Sequence, residues 1–210
     1  MKTNLAANAM ANVAQMLLSA LILFFLYRYI NQTLGVDKLG VWSVVLATAS
    51  ASRLADLGLG VGVTRFVAQH LALNQPESAS AIVETALITI AIVLAAGLLV
   101  FYPAFQSVLN KIFQDAELEQ ALAILPYALL SLWLSMLGTI VQSGLDGCQR
   151  MVGRAAIGIV SQVCMLLFVL VWVPSDGLLG LAYAQILQAM LLFLISWFYL
   201  RSSLKNLSMF

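Results

Sequence analysis

Hydrophobic residues along this chain gather into six long stretches, at about residues 8–30, 40–62, 81–101, 121–142, 156–173 and 178–200. Each approaches the roughly 20 apolar residues that an α-helix needs to cross a bilayer. The stretches are continuous and do not alternate every second residue, which excludes the strands of about ten residues that build membrane barrels. The segments between them are too short to hold a water-soluble domain. The pattern therefore predicts an all-α fold: one polytopic transmembrane bundle over residues 1–210, with six transmembrane helices.

Polar positions inside the runs are few and patterned. In the first helix Asn4, Asn8, Asn12, Gln15 and Ser19 recur at spacings of four, four, three and four, which places them on one helical face. Two readings stay open: a packing seam in which amides hydrogen-bond a neighbouring helix, or the lining of a hydrated cavity. In the fourth run Ser131, Ser135, Gly138 and Gln142 form a stripe of mostly small residues, suited to close packing. Gln185 and Gln188 share a face of the sixth, as seam amides or cavity amides.

The second run alone carries an arginine and an aspartate together. Counted inward from Gly40, Arg53 lies roughly 20 Å down the helix at 1.5 Å per residue. Asp56, three residues on, shares its face. A charge at that depth costs several kcal/mol unless it is paired or hydrated. Arg53 is then either a snorkelling cation neutralised by Asp56, or a cation that faces a cavity and receives an anionic head group. Gly58, Gly60 and Gly62 follow at every second position. No strand precedes them and the spacing is not that of a nucleotide-binding loop; they suit local unwinding or close approach of a neighbour. Val63, Phe66, Val67 and Leu71 then repeat at helical spacing, as in an amphipathic helix at the membrane interface.

The connections predict their own details. Gly35 breaks the first helix within an outer turn over 31–39. Asn74, Gln75, Pro76 and Glu77 form an inner turn, with Ser78 or Ser80 capping the third helix. Glu84 is expected to be neutralised by Arg65. Residues 111–120 read as a short, wet outer helix, and Pro174-Ser175-Asp176-Gly177 as a tight turn between two antiparallel helices.

Composition agrees with a membrane location: 62% hydrophobic and only 9% charged, with a mean hydropathy of +0.99. With the N-terminus inside, Lys2, Arg65, Arg150, Arg154, Arg201 and Lys205 fall on the cytoplasmic side and Arg28, Lys38 and Lys111 outside, so the positive-inside bias places both termini in the cytoplasm. Lys2 precedes an apolar stretch, but its length, its amides and the lack of a small-residue cleavage site favour an uncleaved first helix. A net charge of +1 without a basic cluster gives no footprint for nucleic acid. One histidine, two cysteines at different depths, no C-x-x-C pair and no Walker-type loop leave no expected metal, cofactor, disulfide or ATP site. The chain is not expected to be an enzyme.

Several motifs then come in a telling order: Leu34-Gly35-Val36-Asp37-Lys38-Leu39-Gly40-Val41-Trp42-Ser43, then Leu54-Ala55-Asp56-Leu57-Gly58-Leu59-Gly60, then Thr64-Arg65-Phe66-Val67-Ala68. Together they resemble the amino-terminal part of the polysaccharide exporters and O-antigen flippases of the multidrug/oligosaccharidyl-lipid/polysaccharide superfamily. The stretch from Gln142 to Arg150 resembles the inner loop between helices four and five of those proteins. The resemblance implies a two-lobed transporter in a bacterial inner (plasma) membrane that flips undecaprenyl-pyrophosphate-linked oligosaccharide for cell-surface polysaccharide, such as the O-antigen of lipopolysaccharide. It implies Arg53 and Arg65 as head-group contacts, with Asp56 as their partner. Two departures stand out. No proline precedes Leu34-Gly35, and six helices stand where the family usually has twelve or fourteen. The chain thus reads as one lobe, a fragment or a half that assembles with a second six-helix lobe or another copy of itself. The competing readings are a drug or small-solute exporter of the same superfamily, and a non-transporting scaffold or truncated remnant.

The predicted topology is checked by cysteines placed at Lys2, Asp115 and Lys205 after removal of Cys148 and Cys164. In intact cells an impermeant thiol reagent should label position 115 and spare 2 and 205; the opposite pattern would invert the orientation.

Overall fold

The computed structural model describes residues 5–50 and 58–208, apart from the side chains of 5–9, 11, 12, 49, 50 and 206–208. It is built of helices: α1 (Leu5–Leu34), α2 (Val36–Ser50), α3 (Leu59–Ala72), α4 (Pro76–Ile112), α5 (Asp115–Gly147), α6 (Met151–Asp176) and α7 (Leu178–Ser208). Among the described residues five segments are long and apolar enough to cross a membrane: Val13–Leu34, Pro76–Ile112, Asp115–Gly147, Met151–Asp176 and Leu178–Lys205. The second hydrophobic run, expected as one helix over 40–62, is described as two, α2 and α3.

The helices are joined by fewer residues than the hydrophobic runs suggest. Gly35, at φ 85°, is the whole of the α1–α2 link; this left-handed backbone is open to glycine at little steric cost. Residues 31–34 and 36–39 are helical and not part of an outer turn. Asn74 closes α3 in the left-handed region at φ 56°, where the Gln75 amide donates back to the His70 carbonyl at 2.9 Å. Pro76 then opens α4 at a position where its missing N–H costs nothing. Ser78 and Ser80 fall inside α4 and do not cap it; the Ser80 hydroxyl donates to Glu84 instead. The expected short helix over 111–120 is absent: α4 runs to Ile112, Phe113 and Gln114 turn, and Asp115 starts α5. Asp115 and Glu117 in that first turn complement the helix dipole. The fourth and fifth runs likewise extend beyond 121–142 and 156–173, because polar ends such as 143–147 and 151–155 continue the helices into the interface.

Helix α5 is the centre of the bundle. Its apolar window is 61% buried, against 11% for that of α1. It packs on α2, α3, α4 and α7, whereas α1 leans chiefly on α6. Two apolar cores lie along the bundle. One, near the end opposite the termini, joins Trp42 and Val45 of α2 to Ile124 and Leu125 of α5 and to Val169, Val173 and Leu181. The other joins Val63 and Val67 of α3 to Val83, Ile140, Val141, Leu145 and Leu200. Thus α2 and α3 lie on successive parts of the same helix.

Small residues permit this closeness. A Cβ on Gly144 would stand 3.0 Å from Leu200 and 3.1 Å from Val83, and Gly138 lies directly under Leu192 of α7. The close-packing reading of the fourth run accounts for Gly138. At Gly147 a Cβ would stand 2.8 Å from the Val67 side chain and 2.9 Å from the Thr64 carbonyl oxygen. Thr64 also donates its hydroxyl to the Ser143 carbonyl at 3.0 Å, tying α3 to α5. Gly147→Ala should therefore destabilise the protein by about 1–3 kcal/mol, as overpacking does. Gly62→Ala, with nothing within 4 Å of its Cβ, should be neutral or mildly stabilising. Unfolding midpoints in detergent, measured for both variants, check the contrast.

Candidate functional site

Between the middle of the bundle and the end opposite the termini, α1, α2, α6 and α7 line a half-open pocket of about 320 Å³. Its apolar walls come from residues such as Leu26, Ile30 and Leu181; Ser19, Tyr27, Trp42, Gln162, Gln185 and Gln188 bring the polar and aromatic groups. Residues 19 and 27 come from α1, Trp42 from α2, Gln162 from α6, and Gln185 and Gln188 from α7. Among the described residues, no acidic or basic side chain lines it. The Oε1 atoms of Gln162 and Gln185 are buried without a hydrogen-bond partner among the described residues. A buried acceptor left unpaired costs roughly 1–3 kcal/mol, so these two amides are poorly explained as packing groups alone.

The polar stripe of α1 divides between its two readings. Gln15 belongs to a seam: its side-chain amide covers buried Gly158 of α6, where a Cβ would stand 2.5 Å from Nε2. One turn further on, Ser19 lines the pocket. Asn8 and Asn12 belong to α1, but their side chains lie outside the described residues. Arg53 and Asp56 also lie outside the described residues, between α2 and α3. Arg65 is exposed on α3; it is not brought to the pocket.

Sequence reasoning named Gln185 and Gln188 and missed Gln162. The signal was present, since Gln162 is the one amide in the stretch 156–173. What could not be read from the chain was that α6 would turn it toward α7 and α1.

Charged side chains collect at the helix ends. Glu84 pairs with Arg201 at 3.4 Å, not with Arg65, because α7 lies beside α4 at that level. Arg201 also stacks over Trp197, 4.8 Å from the ring centroid. Both partners are exposed, so this pair contributes about 0–1 kcal/mol. Arg154 of α6 holds Asp146 of α5 at 3.1 Å across the corner between the two helices. In that corner Cys148 is buried, and burial pushes its thiol up to about 11, with Arg150 acting in the opposite direction. The thiol stays protonated at neutral pH and is a poor nucleophile.

Among the described residues no cluster of histidine, cysteine, aspartate or glutamate has the makings of a metal site. A search of curated proteins and a search of solved structures each return no match. A family model does match: that of MatE, over residues 8–173, a span that runs from the start of α1 through most of α6. Well over half of the chain is covered, and the bundle of apolar helices agrees with it; the chain belongs to the MatE family of membrane transporters, within the multidrug/oligosaccharidyl-lipid/polysaccharide superfamily.

Proposed function

We propose that this chain is one lobe of a transporter that flips lipid-linked oligosaccharide, an undecaprenyl-pyrophosphate conjugate, across a bacterial inner membrane. The observation that carries this reading is the charge pattern of the bundle. The described acids lie toward helix ends, from Asp37 and Glu77 to Asp146 and Asp176, and the pocket is lined by uncharged amides. A pump that expels solutes against a proton or sodium gradient needs acids placed within the membrane. Here Asp56 alone has that place in the sequence, beside Arg53. An arginine there suits a pyrophosphate, whose oxygens accept the two parallel N–H bonds of a guanidinium.

In this reading α2 and α3 together make the second of six crossings, since both lie along α5. Arg53 and Arg65 contact the head group, Asp56 orients Arg53, and Asn8, Asn12, Gln15 and Ser19 face the transport path. Both termini are cytoplasmic, and a second six-helix lobe or another copy of the chain supplies the opposite wall of the path. A second reading, a drug or small-solute exporter, agrees equally with the MatE match; it predicts efflux of organic cations that is lost in Asp56→Asn.

The two are separated by variants assayed with the second lobe present, with surface polysaccharide and protein abundance measured together. Arg53→Ala should lower export at least tenfold at normal abundance, because removing a buried charge does not hinder insertion. Arg53→Lys should keep partial export. Asp56→Asn should reduce abundance more than Arg53→Ala does, since it leaves a buried cation unpaired. Full export by Arg53→Ala at normal abundance would overturn the assignment.

A further inference from the structure

The pocket described above combines three features that seldom meet by chance inside a membrane bundle. It is lined by three glutamines drawn from two helices, Gln162, Gln185 and Gln188. It includes a tryptophan, Trp42, that is 3% exposed and so held in place by its surroundings. Among the described residues, none of its lining side chains is charged. A primary amide offers one acceptor and two donors, so it can satisfy both the hydrogen and the oxygen of a hydroxyl group. Two of the acceptors, on Gln162 and Gln185, have no partner among the described residues, and in a bilayer no bulk water is at hand to relieve them. An aromatic wall beside convergent amides matches a ring with apolar C–H faces and a polar hydroxyl rim. The volume, about 320 Å³, falls at the small end of ligand pockets. A cation, whether a metal ion or an organic amine, would find acceptors here but no countercharge among the described residues, and burying it unpaired would cost several kcal/mol.

We infer that the pocket between α1, α2, α6 and α7 binds a neutral, hydroxyl-bearing ring, a single sugar unit, held by Gln162, Gln185 and Gln188 beside Trp42. The inference rests on the flippase reading, which gives a sugar site within the bundle its use. It assigns a role to Gln162, Gln185 and Gln188, residues other than those named as head-group contacts.

The test is binding of tritiated N-acetylglucosamine to the chain reconstituted in phospholipid nanodiscs, followed by scintillation proximity. The free sugar carries no pyrophosphate, so its binding is independent of the head-group contacts on which the export assay depends. Wild-type protein should bind saturably, at one site per chain, with displacement by unlabelled glucose or N-acetylglucosamine. Gln162→Leu and Gln185→Leu should each weaken binding at least tenfold while leaving the unfolding midpoint unchanged or raised. Gln142→Leu is the control: its Nε2 is also buried without a described partner, but it does not line the pocket, and its binding should stay within twofold of wild type. Should either glutamine variant fail to fold, Ser19→Leu, which fills the pocket from α1, should abolish binding. Absence of saturable binding by wild type overturns the inference, as does equal binding by the pocket variants. Saturable binding of sodium or of tetraphenylphosphonium, lost in the same variants and without any sugar binding, overturns it in favour of a cation site. None of these outcomes touches the export test of Arg53, so the two readings can fail separately.

Discussion

Close approach to α5 is the constraint from which the rest of the bundle follows. Five helices contact it, α2, α3, α4 and α7 most closely, and at Gly138, Gly144 and Gly147 there is no room for a Cβ without displacing a neighbour. Between apolar helices in lipid the driving force is contact and hydrogen bonding, not exclusion of water. Distance therefore decides. The Trp133 indole reaches the Ala91 carbonyl at 3.0 Å, and Tyr127 meets Tyr183 edge to face with centroids 5.3 Å apart, only because the helices come so near. The same closeness lets two short helices, α2 and α3, sit on one long partner.

Much of this fold was legible in the chain. Runs of apolar residues fix where long helices form, since each backbone group in a bilayer must be paired within its own segment. Helix ends were harder. Residues 31–39 are polar enough to read as a turn, yet one glycine with positive φ suffices to reverse the chain, and its neighbours remain helical. Likewise residues 111–120 read as a separate short helix, when 111 and 112 end α4 and 115–120 are the first turns of α5. Pairing across helices was not legible at all. Nothing in the spacing of Glu84 and Arg65 reveals that Arg201, 117 positions from Glu84, lies nearer. The pocket stood between these cases: its amides could be named, but their convergence depends on the rotation of α6 and α7 about their axes.

The polar inventory follows a division of labour. Among the described residues, full charges sit toward the helix ends, and the middle holds amides and hydroxyls. The Asp146–Arg154 pair is instructive because each partner opposes its own helix dipole, an acid at the end of α5 and a base at the start of α6. Held 3.1 Å apart, each relieves the unfavourable setting of the other, and the corner around Cys148 is closed by that exchange. Hydroxyls in the middle are mostly spent on their own helices, as Ser161 on Ile157 and Ser131 on Ala128. The Oε1 acceptors of Gln162 and Gln185 have no such local outlet, because the N–H groups inside an α-helix already donate to its own carbonyls.

The pocket takes its lining from α1, α2, α6 and α7 and draws no residue from α5. The helix that holds the bundle together and the surface open to chemical variation are thus separate parts of the sequence. Substitutions at Ser19, Gln162 or Gln188 leave the glycine contacts of α5 untouched. The chemistry of the pocket and the holding together of the bundle are therefore separable: a change in one of its polar groups alters the surface it presents without opening the contacts on which the scaffold rests.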